Sequence, residues 1–140
     1  PQYINEPLSD LLGVNLILKT ETLNPIRSFK GRGADWLLAN VKSGTSLICA
    51  SAGNFGQAMA YACRKAKCML IVYASVNANP LKVERMRSFG ATVILFGEDF
   101  DAAKLEAKRV AKEKSIRFVE DRPVTILSSL RTVLLPPFFI

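Results

Sequence analysis

The chain has 140 residues, 49% of them apolar and 22% charged, and this balance fits one ordinary globular domain with a real core and excludes disorder as its overall state. There is no histidine, so Ser-His, Cys-His and His-metal mechanisms are excluded and acid–base chemistry falls to Lys, carboxylates, Tyr, Cys or a cofactor. The net charge of +7 favours acidic partners.

Taken in chain order, Val14-Asn15-Leu16-Ile17-Leu18-Lys19 reads as a strand, and Gly33 to Lys42 carries Ala34, Leu37, Leu38 and Val41 on one helical face. Lys30 then falls in the turn that opens this helix. Ser46 to Ala50 is a short apolar strand, Ser51-Ala52-Gly53-Asn54 a turn, and Phe55 to Lys67 a segment with good helix propensity. Cys68 to Ala74 is an uninterrupted apolar run of the kind a parallel sheet buries on both faces. Pro80 opens a helix that runs through Arg87 and stops at Gly90, followed by a strand over Thr92 to Phe96. Asp101 to Lys114 gives another helix with Asp101 as its N-cap, and Ile116-Arg117-Phe118-Val119 closes the series. Strands and helices alternating at short spacing predict an α/β fold: a parallel sheet built from βαβ crossovers.

Charge and cysteine placement narrow the partners. The basic residues lie in Arg64-Lys65-Ala66-Lys67, Lys82 to Arg87 and Lys104 to Lys114, interleaved with Glu84, Glu106 and Glu113 rather than with exposed aromatics. This is the pattern of solvated helix faces, so nucleic acid is not an expected partner. Cys49, Cys63 and Cys68 show no metal spacing, and the apolar surroundings of Cys49 and Cys68 predict buried, reduced thiols. No metal site is expected. No apolar run approaches the roughly 20 residues that cross a bilayer, and no basic flank precedes an apolar stretch at the start. The expected location is the cytoplasm, away from membranes.

Two segments can carry chemistry. In Asn24-Pro25-Ile26-Arg27-Ser28-Phe29-Lys30-Gly31-Arg32-Gly33-Ala34 a single lysine stands at a helix start between an aromatic and two glycines. The positive end of a helix dipole favours the neutral amine, the form that attacks an aldehyde, and Phe29 can pack beside a flat ring. In Cys49-Ala50-Ser51-Ala52-Gly53-Asn54-Phe55-Gly56-Gln57 a strand ends in small residues and a helix begins with free N–H groups. With the Ser51 hydroxyl these suit a carboxylate or phosphate, and Asn54 offers both a donor and an acceptor. The turn is neither a P-loop nor a dinucleotide fingerprint.

On these residues the chain resembles the tryptophan synthase β-like group (fold type II) of pyridoxal phosphate enzymes, and within it the threonine/serine dehydratases. The matching segments are Glu21-Thr22-Leu23-Asn24-Pro25, Ser28 to Ala34, Ser51 to Ala58, Asn79-Pro80-Leu81-Lys82-Val83-Glu84 and Gly90-Ala91-Thr92-Val93, in the family's order and separation. The resemblance implies pyridoxal 5'-phosphate as cofactor and Lys30 as the catalytic residue that carries it as a Schiff base and later moves the substrate Cα proton. It implies Phe29 near the ring, Asn54 on the cofactor 3'-oxygen, and Ser51, Ala52, Gly53 and Asn54 around the substrate carboxylate. The implied reaction is an ammonia-lyase step on threonine or serine that gives a 2-oxo acid and ammonia. Phe55 stands where dehydratases often have His, and Arg27 where many have Gly.

The resemblance also implies a two-domain architecture, with residues 1–45 in a large cofactor domain and 46–121 as a small α/β domain. Residues 122–140 depart from the family's pattern and read as an atypical tail, truncated or frameshifted; the family's phosphate-holding glycine run is not in the sequence. The expected partners are an amino-acid substrate and further copies of the chain. The alternatives are an inactive truncated fragment or regulatory isoform, or another activity of the group: threonine synthase, cysteine synthase or serine racemase.

Overall fold

The computed structural model describes residues 1–121, so the expected tail at 122–140 lies outside the described residues. Two elements precede the first expected strand. β1 (Gln2–Ile4) pairs antiparallel with β2 (Ile17–Lys19), and α1 (Glu6–Leu12) connects them. α1 forms because Asn5 Oδ1 accepts from the Leu8 N–H at 3.0 Å, Pro7 occupies the first turn where its missing N–H costs nothing, and Gly13 ends the helix at φ +65°. None of its side chains is buried, and without a buried stripe it leaves no apolar period in the sequence. β2 is shorter than the expected Val14–Lys19 because Val14 and Leu16 donate to Ser9 instead of to a strand.

α2 (Lys30–Ala39) begins three residues before the expected start at Gly33. Its first turn is built from backbone bonds, Gly31 N–H to Ser28 O and Arg32 N–H to Phe29 O, which need no apolar face. Lys30 is therefore the first residue of the helix. The expected face holds: Ala34 and Leu38 are buried, and Leu37 and Val41 pack on the same core.

The central sheet runs β5-β4-β3-β6, all parallel, from β3 (Ser46–Ala50), β4 (Met69–Ala74), β5 (Thr92–Leu95) and β6 (Arg117–Val119). The strand period of two sorts its residues between two cores. Leu47, Cys49, Leu70, Val72 and Val119 pack with α2, with α3 (Asn54–Lys65) and with α4 (Pro80–Ser88). Ile48, Ala50 and Tyr73 pack with Ala103, Ala107, Val110 and Ala111 of α5 (Phe100–Glu113) on the other face. Leu47 and Ile48 are fully enclosed, each contributing about 1.5–3 kcal/mol of burial.

Two expectations need correction. The N-cap of α5 is Asp99, whose Oδ1 accepts from the Ala102 N–H at 2.8 Å, and not Asp101, which lies in the first turn. Gly97, at φ +69°, brings the chain close to Ala102 and so allows the earlier start. Cys68 is only half-buried, while Cys63 is buried in the core. Cys68 stands just before β4, outside the enclosed part of the strand.

Strand order places a candidate crevice. From β3 the chain steps through α3 to β4 and through α4 to β5, then returns by α5 to set β6 on the opposite side of β3. Open parallel sheets bind ligands at the carboxyl ends of strands where this reversal occurs. Here that point lies beyond Ala50 and Val119, at Ser51–Asn54 and at Asp121.

Candidate functional site

Lys30 reaches this crevice as the first residue of α2, directly after a loop held by side chains. Asn24 Oδ1 accepts from the Ile26 and Ser28 N–H groups at 3.0 and 3.3 Å, while Asn24 Nδ2 donates to Ser28 O at 3.0 Å and to Glu21 Oε2 at 2.9 Å. Glu21 Oε1 in turn meets Arg32 Nε at 2.7 Å, two buried atoms paired as ions although their angle falls short of a hydrogen bond. Asn24, Glu21 and Arg32 thus clamp the loop to the first turn of α2. Ser28, itself buried, accepts from the Lys30 N–H through its Oγ at 3.3 Å.

The Lys30 side chain is 20% exposed, and its Nζ donates to Asp121 Oδ1 at 2.6 Å. Phe29 is half-exposed, with Lys30 Nζ 5.5 Å from its ring centre, a weak cation–π contact. Lys30 and Asp121 line one cavity of about 10 Å³ with Gly33, Ala34, Leu37, Phe55 and Met59. That volume holds at most about one water molecule and admits no aromatic ring.

The second segment is arranged around Ser51. Its Oγ accepts from the Gly53 and Gly56 N–H groups at 3.2 and 2.9 Å. Both lone pairs are thereby engaged, and the hydroxyl hydrogen is the part left to donate. The N–H groups of Asn54 and Phe55, in the first turn of α3, are the donors Ser51 does not take. Ser51 is buried, Ala52 and Gly53 are half-buried, and Asn54 is exposed. Phe55, buried, joins the lining beside Lys30, whereas Phe29, Ser51 and Asn54 lie outside that lining. Cys49, at the end of β3, is no competing nucleophile: burial, then Cys63 and Asp121, push its thiol up, so it stays protonated.

Asp121 is the site residue that sequence reasoning misses, because it lies 91 residues from Lys30 and no local pattern marks it. Asn24, Glu21 and Arg32 carry a fainter signal, a short polar cluster around Pro25.

A sequence model of the family described as pyridoxal-phosphate dependent enzyme matches residues 5–128. The chain belongs to that family. It is 35% identical over 122 residues to the chloroplastic biosynthetic threonine dehydratase of Arabidopsis thaliana, a match covering 85% of this chain and 21% of the relative. Among solved structures, the processed form of threonine deaminase isoform 2 from Solanum lycopersicum superposes with a TM-score of 0.77 at 30% identity, over 96% of this chain and 40% of that one. Serine racemase from Dictyostelium discoideum superposes at 0.79 with 25% identity, over 94% and 44%. The chain thus spans about a fifth of the length of the curated relative it matches.

The residues present fit attachment of the family's cofactor. An aldehyde needs a primary amine reachable from solvent, which Lys30 supplies, and a carboxylate-bearing substrate needs N–H and O–H donors, which the Ser51–Phe55 turn supplies. Built Cβ atoms at Gly33 and Gly53 would meet nothing within 4 Å, so neither glycine is walled in by a neighbour.

Proposed function

We propose that this chain forms the lysine-bearing part of a pyridoxal phosphate-dependent ammonia-lyase that converts threonine or serine to a 2-oxo acid and ammonia. The observation that carries the reading is that Lys30, the lysine of the family motif, points its amine to the carboxyl end of β3 and β6, beside the helix start whose donors suit a carboxylate. The relatives named threonine dehydratase or deaminase support the choice of reaction.

On this reading Lys30 Nζ is the attachment point and later holds and returns the substrate Cα proton. Asn54 and Phe29 flank the cofactor, and Ser51, Ala52, Gly53 and Asn54 hold the substrate carboxylate. Pyridoxal phosphate, when bound, supplies an electron sink for the negative charge left at Cα. Residues 46–121 serve as the small domain and 1–45 as part of the cofactor domain. The setting is the cytoplasm, with further copies of the chain as partners; no helix among the described residues is long and apolar enough to cross a membrane.

Trapping tests the reading directly. The chain is mixed with pyridoxal phosphate, reduced with borohydride and digested, and the modified lysine is read by mass spectrometry. At equilibrium the label is expected to settle on Lys30 in preference to the exposed lysines, and Lys30→Ala should remove it. A label spread over surface lysines that spares Lys30 refutes the assignment. With a chain that turns over, release of a 2-oxo acid from threonine supports the lyase reading, whereas D-serine formed from L-serine without 2-oxo acid refutes it.

A further inference from the structure

Strand parity decides where the residues after β6 point. Phe118 packs on the α5 core and Val119 on the α2/α3 core. Glu120 follows Phe118 to the α5 side, where its Oε1 meets Lys104 Nζ at 2.7 Å and Lys108 Nζ at 3.5 Å. Asp121 follows Val119 to the α2 side. The parallel register, Leu47 with Arg117 through Cys49 with Val119, extended by two residues, brings Asp121 level with Ser51. A carboxylate is therefore carried by the sheet itself to the amine delivered by α2, and the two meet at 2.6 Å with side chains 36% and 20% exposed.

This arrangement holds a flexible side chain in one place. A free lysine carries up to about 2 kcal/mol of rotamer entropy, which a short ion pair removes in advance. It also holds the nitrogen as an ammonium, which has no lone pair to offer, so Nζ must leave the pair as the free amine before it bonds to a carbonyl carbon.

We propose that Asp121 is a positioning residue for Lys30: it holds Nζ at the carboxyl end of β3 and β6, and its release of Nζ limits attachment of a carbonyl compound. The inference rests on the reading of Lys30 as the attachment point. In attachment Nζ first gives its ammonium proton to solvent, its lone pair bonds to the aldehyde carbon, and the carbonyl oxygen leaves as water with the two remaining amine hydrogens; hydride from borohydride, with a proton from water on nitrogen, then makes the C–N bond permanent.

The test compares the rate of Lys30 labelling with that of Lys67 and Lys112, both exposed, in the full chain. Two probes are used, an N-hydroxysuccinimide ester of acetate and pyridoxal phosphate with borohydride. Asp121→Asn should speed labelling of Lys30 about fivefold with both, equivalent to roughly 1 kcal/mol for a partly exposed pair, and leave Lys67 and Lys112 unchanged. Asp121→Glu should restore the slow rate. In the unaltered chain, raising salt from about 0.05 to about 1 M should selectively speed Lys30, because screening weakens the pair. The salt arm stands even where a variant fails to fold. An unchanged Lys30 rate, or equal acceleration of all three lysines, overturns the inference. Faster ester labelling with no pyridoxal phosphate on Lys30 in any variant overturns the attachment reading and the inference with it. Pyridoxal phosphate on Lys30 at equal rates with and without Asp121 overturns the inference alone.

Discussion

Gly56 lies against Met86 so closely that a Cβ built on the glycine would stand 2.5 Å from the Met86 sulfur, and 3.1 Å from Ser51 Cβ. Met86 is fully enclosed, so neither neighbour yields easily. The contact packs α3 on α4 and also fixes the Gly56 N–H where Ser51 Oγ accepts it. Gly56→Ala should therefore lower stability by about 1–3 kcal/mol, the range of overpacked cores. A fall in the urea midpoint with an unchanged slope checks it.

Arg27 is held at φ +55°, in the left-handed region. A side chain there costs roughly 1 kcal/mol or more, and glycine removes the clash. Arg27→Gly is expected to raise stability by about 1 kcal/mol, read from the thermal or urea midpoint. An unchanged or lower midpoint contradicts the strain argument.

The sequence makes the α/β class and the central elements legible because they depend on local period. The strand Ser46–Ala50 matches the structure to the residue, and the apolar run before Ser75 is covered from both sides from Leu70 on, while Met69 at its start is exposed. What fails is capping and pairing. Asp99 and Asp101 are chemically equal cap candidates, and only the tight approach at Gly97 selects the first. The return of β6 to β3 instead of β5 leaves no trace in sequence, yet it alone brings Asp121 to Lys30. The motif residues are visible; their geometry depends on long-range pairing that no window of sequence contains.

Asn24 uses its carbonyl and its amide together, so the two chemical halves can be separated by substitution. Asn24→Ala leaves the Ile26 and Ser28 N–H groups and the Ser28 carbonyl without their partner, at a cost of about 1–3 kcal/mol. Asn24→Asp keeps the acceptor but loses both donations and sets a carboxylate against Glu21. Aspartate should be at least as damaging as alanine. The urea midpoint reports it, lowered in both variants, while hydrogen exchange at the Ile26 and Ser28 amides should speed most in Asn24→Ala, which removes their acceptor. If aspartate matches the native residue, the Nδ2 bonds contribute nothing.

The thiols give a pH dependence whose sign can be worked out. Burial first, with a smaller contribution from Cys68, pushes the Cys63 thiol from 9.0 up to about 12, and burial pushes Cys49 up as well. The folded state therefore favours the protonated thiol. The unfolded chain loses these protons near pH 9, while the folded chain keeps them, so unfolding releases protons at higher pH. The contribution to stability is complete below about pH 9 and is lost as pH rises toward about 12. Replacing Cys63 by Ala should flatten the alkaline fall in melting temperature, although the smaller side chain lowers the plateau by leaving a cavity. Thiol labelling of the folded chain near pH 8 should modify the half-buried Cys68 first and spare Cys49 and Cys63 until denaturant is added. Equal labelling of all three cysteines in the folded chain would contradict both the burial and the direction of the pH effect.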